Sequence, residues 1–233
     1  DLHNIKYKNK FRLHKTKVAG HYWLQKKHIA ECKGKCNCSA LKPIHVLNKH
    51  LTKEEIIVSS NYKRYRLFTK MKINQFFKII NNKNKNIFEV ISPDKPIRAY
   101  VDIDSNNKDC LQNSINELTK VLGNNYLKNI AVSGSIGIKK NKIFYSYHIV
   151  LTDIIFKNME HLIKSGFKNF IKQISNKDNG LDSNVYSRFQ QMKAVNQSKY
   201  KSKRIQKIIN NNDISNHLIQ GGQTLNGNGN GKD

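Results

Sequence analysis

Apolar residues along this chain switch between two spacings, and the switch points divide it into elements. Ile73, Phe76, Phe77 and Ile80 recur at helical spacing and predict a helix over about residues 69–81. Leu111, Ile115, Leu118 and Leu122 predict a second helix. Met159, Leu162, Ile163, Phe167, Phe170, Ile171 and Ile174 give the clearest helical stripe, long enough to pack across a sheet as one helix. Between these stripes the period drops to two. Ile87 to Ile91 is strand-like, Pro93 and Pro96 bracket a turn, and residues 97–104 alternate strictly. Residues 130–134 and 143–151 read as two strands joined by a turn near Lys139 to Lys142, a hairpin. A mixed polar strand follows Val185-Tyr186 and runs to about Val195. Thr52-Lys53-Glu54-Glu55 has the form of a capping box and predicts a short helix. Asn81 to Asn86 is a polar turn, residues 1–50 are basic and without clear period, and Gly221 to Asp233 reads as a flexible Gly/Asn-rich linker. No internal repeat is present. This order gives an α+β or α/β class, and we take α+β.

Charge changes the picture most. The 233 residues carry 42 Lys and Arg against 16 Asp and Glu, a formal net charge of +26. That surplus repels itself in a compact fold, and a polyanionic partner relieves the cost. Nucleic acid is the usual one. An AT-rich genome accounts for Lys over Arg and for the many Asn, but not for so few acids. The length suits one large or two small domains, and 38% hydrophobic content suffices for a core. No run of about 18 apolar residues can span a membrane, and the N-terminus lacks a signal-peptide core. The expectation is an intracellular protein without membrane contact. A start at Asp1 rather than Met suggests a piece of a longer protein.

Cysteines in such a compartment stay reduced. Cys32, Cys36 and Cys38 form a cluster that offers three thiolates to a structural Zn²⁺, with His28 or His45 as fourth ligand. The spacing is not a common paired-knuckle pattern, so three reduced cysteines in a basic loop is the competing reading.

Asp102 and Asp104 lie two apart on the predicted strand, so both project from one face. Ile97, Ala99, Val101 and Ile103 make the other face wholly apolar, leaving Arg98 and Tyr100 with the acids. Adjacent carboxylates repel unless a cation or proton sits between them, and hard divalent metals prefer such ligands. Aspartate is disfavoured in strands, which sets this pair apart from an ordinary polar edge. On the later strand Ser146 and His148 share a face with Phe144 and Val150, and a hydroxyl and an imidazole so placed can both donate to phosphate. A Ser-His-Asp hydrolase fits less well, because no Gly-x-Ser-x-Gly elbow surrounds Ser146; Ser133-Gly134-Ser135 reads as a weaker turn candidate without a base. Asp182 would complete a two-metal cradle from another element. Gln190, Lys193, Gln197, Ser198, Lys199, Lys201, Lys203 and Arg204 follow, and cations just after an acid suit a triphosphate bridging metal and protein.

Asp102-x-Asp104, Ser146-x-His148 and the single Asp182, in this order, resemble the catalytic core of the archaeo-eukaryotic primase superfamily. The closer resemblance is to its PrimPol and large-DNA-virus primase branch. Phe88-Glu89-Val90-Ile91 with Ile97 to Asp104, then Asp182-x-x-Val185-Tyr186 and Gln197-Ser198-Lys199, look like segments of that branch. The likeness covers about residues 60–205. It implies an RRM-like β-sheet with packed helices, preceded by a basic, partly helical N-terminal region. It implies two Mg²⁺ or Mn²⁺ ions at Asp102, Asp104 and Asp182, and a triphosphate held by Ser146, His148, Lys193 and Lys199. Where the branch usually has two arginines this chain has Gln190, which carries no charge, and Lys193, which lacks the planar fork. The implied partners are single-stranded DNA template, nucleoside triphosphates and a helicase domain in the same full-length chain, in the host cytoplasm or at a viral replication site. No Gly-x-x-x-x-Gly-Lys-Ser/Thr helicase loop occurs here.

The expected organisation is a basic N-terminal region over 1–60, a catalytic core over 61–215 and a linker over 216–233. Two other readings compete. A sugar-nucleotide transferase would use Asp102-x-Asp104 but needs neither +26 of charge nor the Ser-x-His strand. A non-catalytic single-strand-binding module needs the charge but not three carboxylates.

Overall fold

The computed structural model describes residues 11–13, 24–26, 43–62, 65–81, 86–139, 141–211 and 213–220. Its class is mixed α+β, with two antiparallel sheets. In chain order the elements are β1 (Phe11–Leu13), β2 (Leu24–Lys26), α1 (Pro43–Lys49), β3 (Glu55–Tyr62), β4 (Tyr65–Lys72), α2 (Ile73–Ile80), β5 (Ile87–Val90), β6 (Ile97–Ser105), α3 (Cys110–Leu122), α4 (Asn124–Leu127), β7 (Ile130–Lys139), β8 (Lys142–Phe156), α5 (Met159–Lys164), α6 (Phe167–Ile174), β9 (Gln191–Lys193) and β10 (Lys207–Ile208). One sheet has the order β1-β2-β4-β3-β5-β9 and the other β10-β7-β8-β6. Among the described residues no helix is long and apolar enough to cross a membrane.

The apolar parity of β6 produces the main core. Ile97, Ala99, Val101 and Ile103 are fully buried and share one cluster with Ile149 and Leu151 of β8 and with α3, α5 and α6 through Leu118, Leu162 and Ile171. The six-stranded sheet packs α2 through Phe76, Ile79 and Ile80, while Ile44 and Leu47 of α1 join Ile57, Phe68 and Val90 in a separate cluster.

Four sequence expectations are corrected. Thr52 to Glu55 does not open a helix. The Thr52 N–H does donate to the Glu55 carboxylate at 3.1 Å, half of a capping box, but the β-branched run Ile56-Ile57-Val58 then continues as β3. The helix expected from residue 69 starts at Ile73, because residues 65–72 pair with β3. The long stripe from Met159 to Ile174 breaks into two helices at Gly166, whose φ of 85° no helix interior accommodates. The polar strand ending near Val195 shortens to the three residues of β9.

The expected boundary at 60/61 falls inside β3, and the expected linker start at 216 falls inside a packed segment. The Glu89 carboxylate accepts the backbone N–H groups of Ile219 at 3.1 Å and Gln220 at 2.8 Å. Gln220 exchanges side-chain bonds with the Ser92 backbone at 2.7 and 2.8 Å, and Arg98 donates to the Ser215 carbonyl at 2.8 Å. The cluster Cys32, Cys36 and Cys38, with His28, the His45 side chain and the tail 221–233, lies outside the described residues.

Burial pushes the Glu89 carboxyl up to about 7, against the two backbone N–H groups and Arg98. The raised value sets the sign. Below the ordinary 4.5 both states are protonated and folding bears no cost. As pH rises from 4.5 towards 7 the unfolded chain ionises first, and stability falls by up to about 3 kcal/mol. Urea unfolding across pH 4.5–7.5 should show this slope in the wild type and a smaller one in Glu89→Gln. Equal slopes would show that Glu89 does not titrate on folding.

Candidate active site

The register of β6 against β8 decides the geometry. Asp102 pairs directly with His148, and Asp104 with Ser146. On its other side β8 pairs His148 with Ser133 and Ser146 with Ser135 of β7. Directly opposed residues share a face. Asp102, His148 and Ser133 therefore form one row across the sheet, and Asp104, Ser146 and Ser135 the next. Ser133-Gly134-Ser135, expected as a turn, is the middle of a ten-residue strand. Gly134 is required there, since a Cβ would overlap the Tyr147 ring.

Asp182 joins from the far side of β6. The Asp182 N–H donates to the Asp102 carbonyl and the Asp104 N–H to the Gly180 carbonyl, both at 2.9 Å, around an Ile103–Leu181 bridge. Asp182 thus extends the Asp102 row. Two features fix this segment. The Asn179 side chain, wholly buried, accepts from Asn176 N–H at 3.0 Å and donates to the Ile174 carbonyl at 2.7 Å. Tyr100 and Tyr186 each donate a phenol to the other's stretch of backbone, Tyr100 to Val185 at 2.8 Å and Tyr186 to Tyr100 at 2.7 Å. Tyr100 and Arg98, expected on an open face with the acids, are therefore buried; only the C-terminal half of β6 opens outward.

The cations come from the segment after Tyr186. Lys193 of β9 is buried and its Nζ donates to Ser135 Oγ at 3.0 Å. Lys199 is exposed, and its charge acts on Asp102, His148 and Lys193. Gln206 donates to Ser133 Oγ at 3.1 Å. Gln190 is engaged elsewhere: its side chain accepts from Ser187 and its carbonyl from the Ile91 N–H. Gln197 is structural as well, donating to the Ile80 carbonyl at 2.9 Å. Ser133, Ser135 and Gln206 were missed as site residues, although the turn at Lys139 to Lys142 already places Ser135 opposite Ser146.

Electrostatics favour an added cation at the acids. Asp102 and His148 are 17% and 14% exposed, with Nε2 3.4 Å from Oδ1. Burial pushes the Asp102 carboxyl up to about 7; Asp104 and Asp182 add repulsion, and Lys199 and Lys193 oppose it. Burial, Lys193 and Lys199 lower His148 to about 3, so its imidazole is neutral. Burial, with Lys199 and Arg204, lowers Lys193 to about 8 against the pull of Asp102 and Asp104. Asp102 Oδ1 is buried without a hydrogen-bond partner among the described residues. Among the described residues, no three His, Cys, Asp or Glu side chains are gathered as a ready-made metal centre. One Asp182 oxygen is engaged with the Asn184 N–H at 2.8 Å. A cleft of about 610 Å³ opens beside the acids, bordered by Asp104, Asp182 and Phe144.

No protein-family model matches the chain, and a search among curated proteins gave no match.

Proposed function

We propose that this chain joins nucleotides on a single-stranded DNA template by metal-assisted phosphoryl transfer, on a core of the archaeo-eukaryotic primase type. The observation that carries the reading is the cross-strand row. Residues from four separate stretches, Asp102 and Asp104, Ser146 and His148, Asp182, and Lys193, meet on one sheet face, with acids at one side and cations at the other. That polarity suits a triphosphate bound between metal and lysine.

The donor set fits a hard divalent ion. Asp102 has a buried oxygen without a partner among the described residues, Asp104 is open to solvent, and burial with the charges of Asp104 and Asp182 makes the Asp102 anion favour a cation beside it. Asp102, Asp104 and Asp182 would hold Mg²⁺ or Mn²⁺, which supplies Lewis-acid stabilisation of the charge that develops in phosphoryl transfer. The chain's own residues do the positioning. Lys193, anchored on Ser135, offers a fixed cation. Lys199 offers an exposed one. Neutral His148 and the Ser146 hydroxyl can each donate to a phosphate oxygen. A sugar-nucleotide transferase leaves this second row unused, and a binding module leaves the three acids without a task.

His148→Ala and Lys199→Ala should each raise the Michaelis constant for nucleotide about 10- to 150-fold, the range of a lost charge-assisted contact. Template affinity should change little. Gln190→Ala should have a small effect, as its side chain bonds Ser187 instead. Steady-state kinetics with nucleotide varied, beside filter binding of a single-stranded oligonucleotide, check this. If His148→Ala lost template affinity and kept its nucleotide constant, β8 would belong to the DNA groove.

A further inference from the structure

Arg204 lies among the cations yet takes no part in the contacts described so far. Its stem crosses Gly137 of β7, where an added Cβ would overlap Cγ and Cδ. Its guanidinium carbon is 5.4 Å from the centroid of the Phe144 ring, and Lys139 Nζ is 4.5 Å from the same centroid. The Arg204 N–H donates to Ser202 Oγ at 3.1 Å, which fixes the loop that delivers it. Nη1 is buried and has no hydrogen-bond partner among the described residues. A buried N–H without an acceptor carries a desolvation cost, greater for a charged group. At Lys193 the charges of Arg204 and Lys199 act in the same sense, opposed by Asp102 and Asp104. An anion seated at Nη1 would offset that desolvation cost.

The setting indicates which anion. Pairing of β6 with β8 ends at Ser105–Tyr145, whereas β7 and β8 stay paired to Lys139–Lys142. The end of the hairpin is therefore a two-stranded ribbon beyond the edge of the sheet. Phe144 stands on its site face, two residues from Ser146, and borders the cleft beside Asp104 and Asp182. Beyond Lys199, Tyr200 is 40% exposed with Lys201 Nζ 5.8 Å from its ring centroid. Aromatic rings attended by cations, repeated along a basic surface, suit a single strand whose bases stack while its phosphates are held.

We propose that Arg204, Phe144 and Lys139 form a seat for one nucleotide unit of a single-stranded nucleic acid. Arg204 grips the backbone phosphate and Phe144 meets the base. The seat rests on the proposed function for its direction, since it leads the strand from the ribbon to Asp104 and Asp182. It does not need catalysis to be tested.

The test is equilibrium binding of a labelled oligothymidylate to the full 233-residue chain without divalent ions, beside binding of a nucleoside triphosphate with Mg²⁺. Arg204→Met keeps the stem and removes the charge. Gly137→Ala keeps the charge and displaces the stem. Phe144→Ala removes the platform. All three should weaken oligothymidylate binding about tenfold or more. Arg204→Met should also lower the slope of log affinity against log salt by about 1. Triphosphate affinity should stay within about twofold. Unchanged strand affinity in Arg204→Met and Gly137→Ala overturns the proposal. So does a loss confined to the triphosphate, which would make Arg204 a ligand of the incoming nucleotide. A wild-type chain that fails to bind the oligonucleotide overturns it too. Normal strand binding through this seat in a chain that joins no nucleotides would instead refute the proposed function and leave the seat standing.

Discussion

Asp102→Ala and Asp104→Ala should each lower nucleotide joining by at least about 10²- to 10³-fold, the scale of losing one preorganised electrostatic contact to a transition state. The fold should survive. Asp102→Asn should go further and stabilise the apo protein. The Asp102 carboxyl is driven up to about 7 by burial and by Asp104 and Asp182, so ionising it works against folding. A group with a raised folded value has no such cost below its ordinary 3.8 and bears the full cost above 7. At pH 8 the amide should therefore gain about 1–3 kcal/mol, and at pH 4 almost nothing. Thermal unfolding at the two pH values, set beside the activity loss, checks both halves. A variant that loses activity and stability together would mark Asp102 as a structural acid instead.

Gly180→Ala should damage fold and site at once. Gly180 has a φ of 65°, and a Cβ there would lie 2.8 Å from both the Asp104 carbonyl and Ser105 Cβ. The left-handed backbone alone costs a non-glycine residue about 1–2 kcal/mol, and the clash with backbone that cannot yield adds to it, for about 2–4 kcal/mol in all. The same movement parts the Gly180 carbonyl from the Asp104 N–H and swings Asp182 away from Asp102, so turnover should fall by more than tenfold even where the protein is folded. Gly166→Ala is the matched control. Its φ is 85° but no atom lies within 4 Å of the added Cβ, so it should cost about 1–2 kcal/mol and leave turnover alone. Urea unfolding with single-turnover rates on both variants separates them, and equal turnover in the two would remove the argument.

How much of this was legible before the fold was known differs from residue to residue. The strict alternation of 97–104 gave β6, its apolar face and the shared side of Asp102 and Asp104, because a strand's period is a local property. The hairpin turn near Lys139 to Lys142 was legible too, and it fixes the pairing of β7 with β8. The pairing of β6 with β8 was not. Asp102 and His148 lie 46 positions apart, and nothing local states that Asp102 meets His148 rather than Ser146. Arg98 and Tyr100 misled because parity gives a face but not what covers it. Here the tail at Ser215 to Gln220 and the Val185-Tyr186 segment cover that face. The sequence around Glu89 carries a motif but not its task, holding the backbone of Ile219 and Gln220, which lie 130 and 131 positions away. Lys193 was placed at the nucleotide by its order after Asp182, and the fold brings it to Ser135 from the other sheet, a contact no periodicity encodes. Gly166 is legible as a local stop signal, a glycine after Ser165 inside a helical stripe.

The most direct measurement is primer synthesis by the purified chain on single-stranded DNA with labelled nucleotides, in Mg²⁺ or Mn²⁺ and again with excess chelator. The cross-strand row predicts template-dependent products with either metal, none with chelator, and none from Asp102→Ala. Products that persist in chelator or in Asp102→Ala, or a well-folded wild type that binds template and nucleotide yet makes no product with either metal, would contradict it.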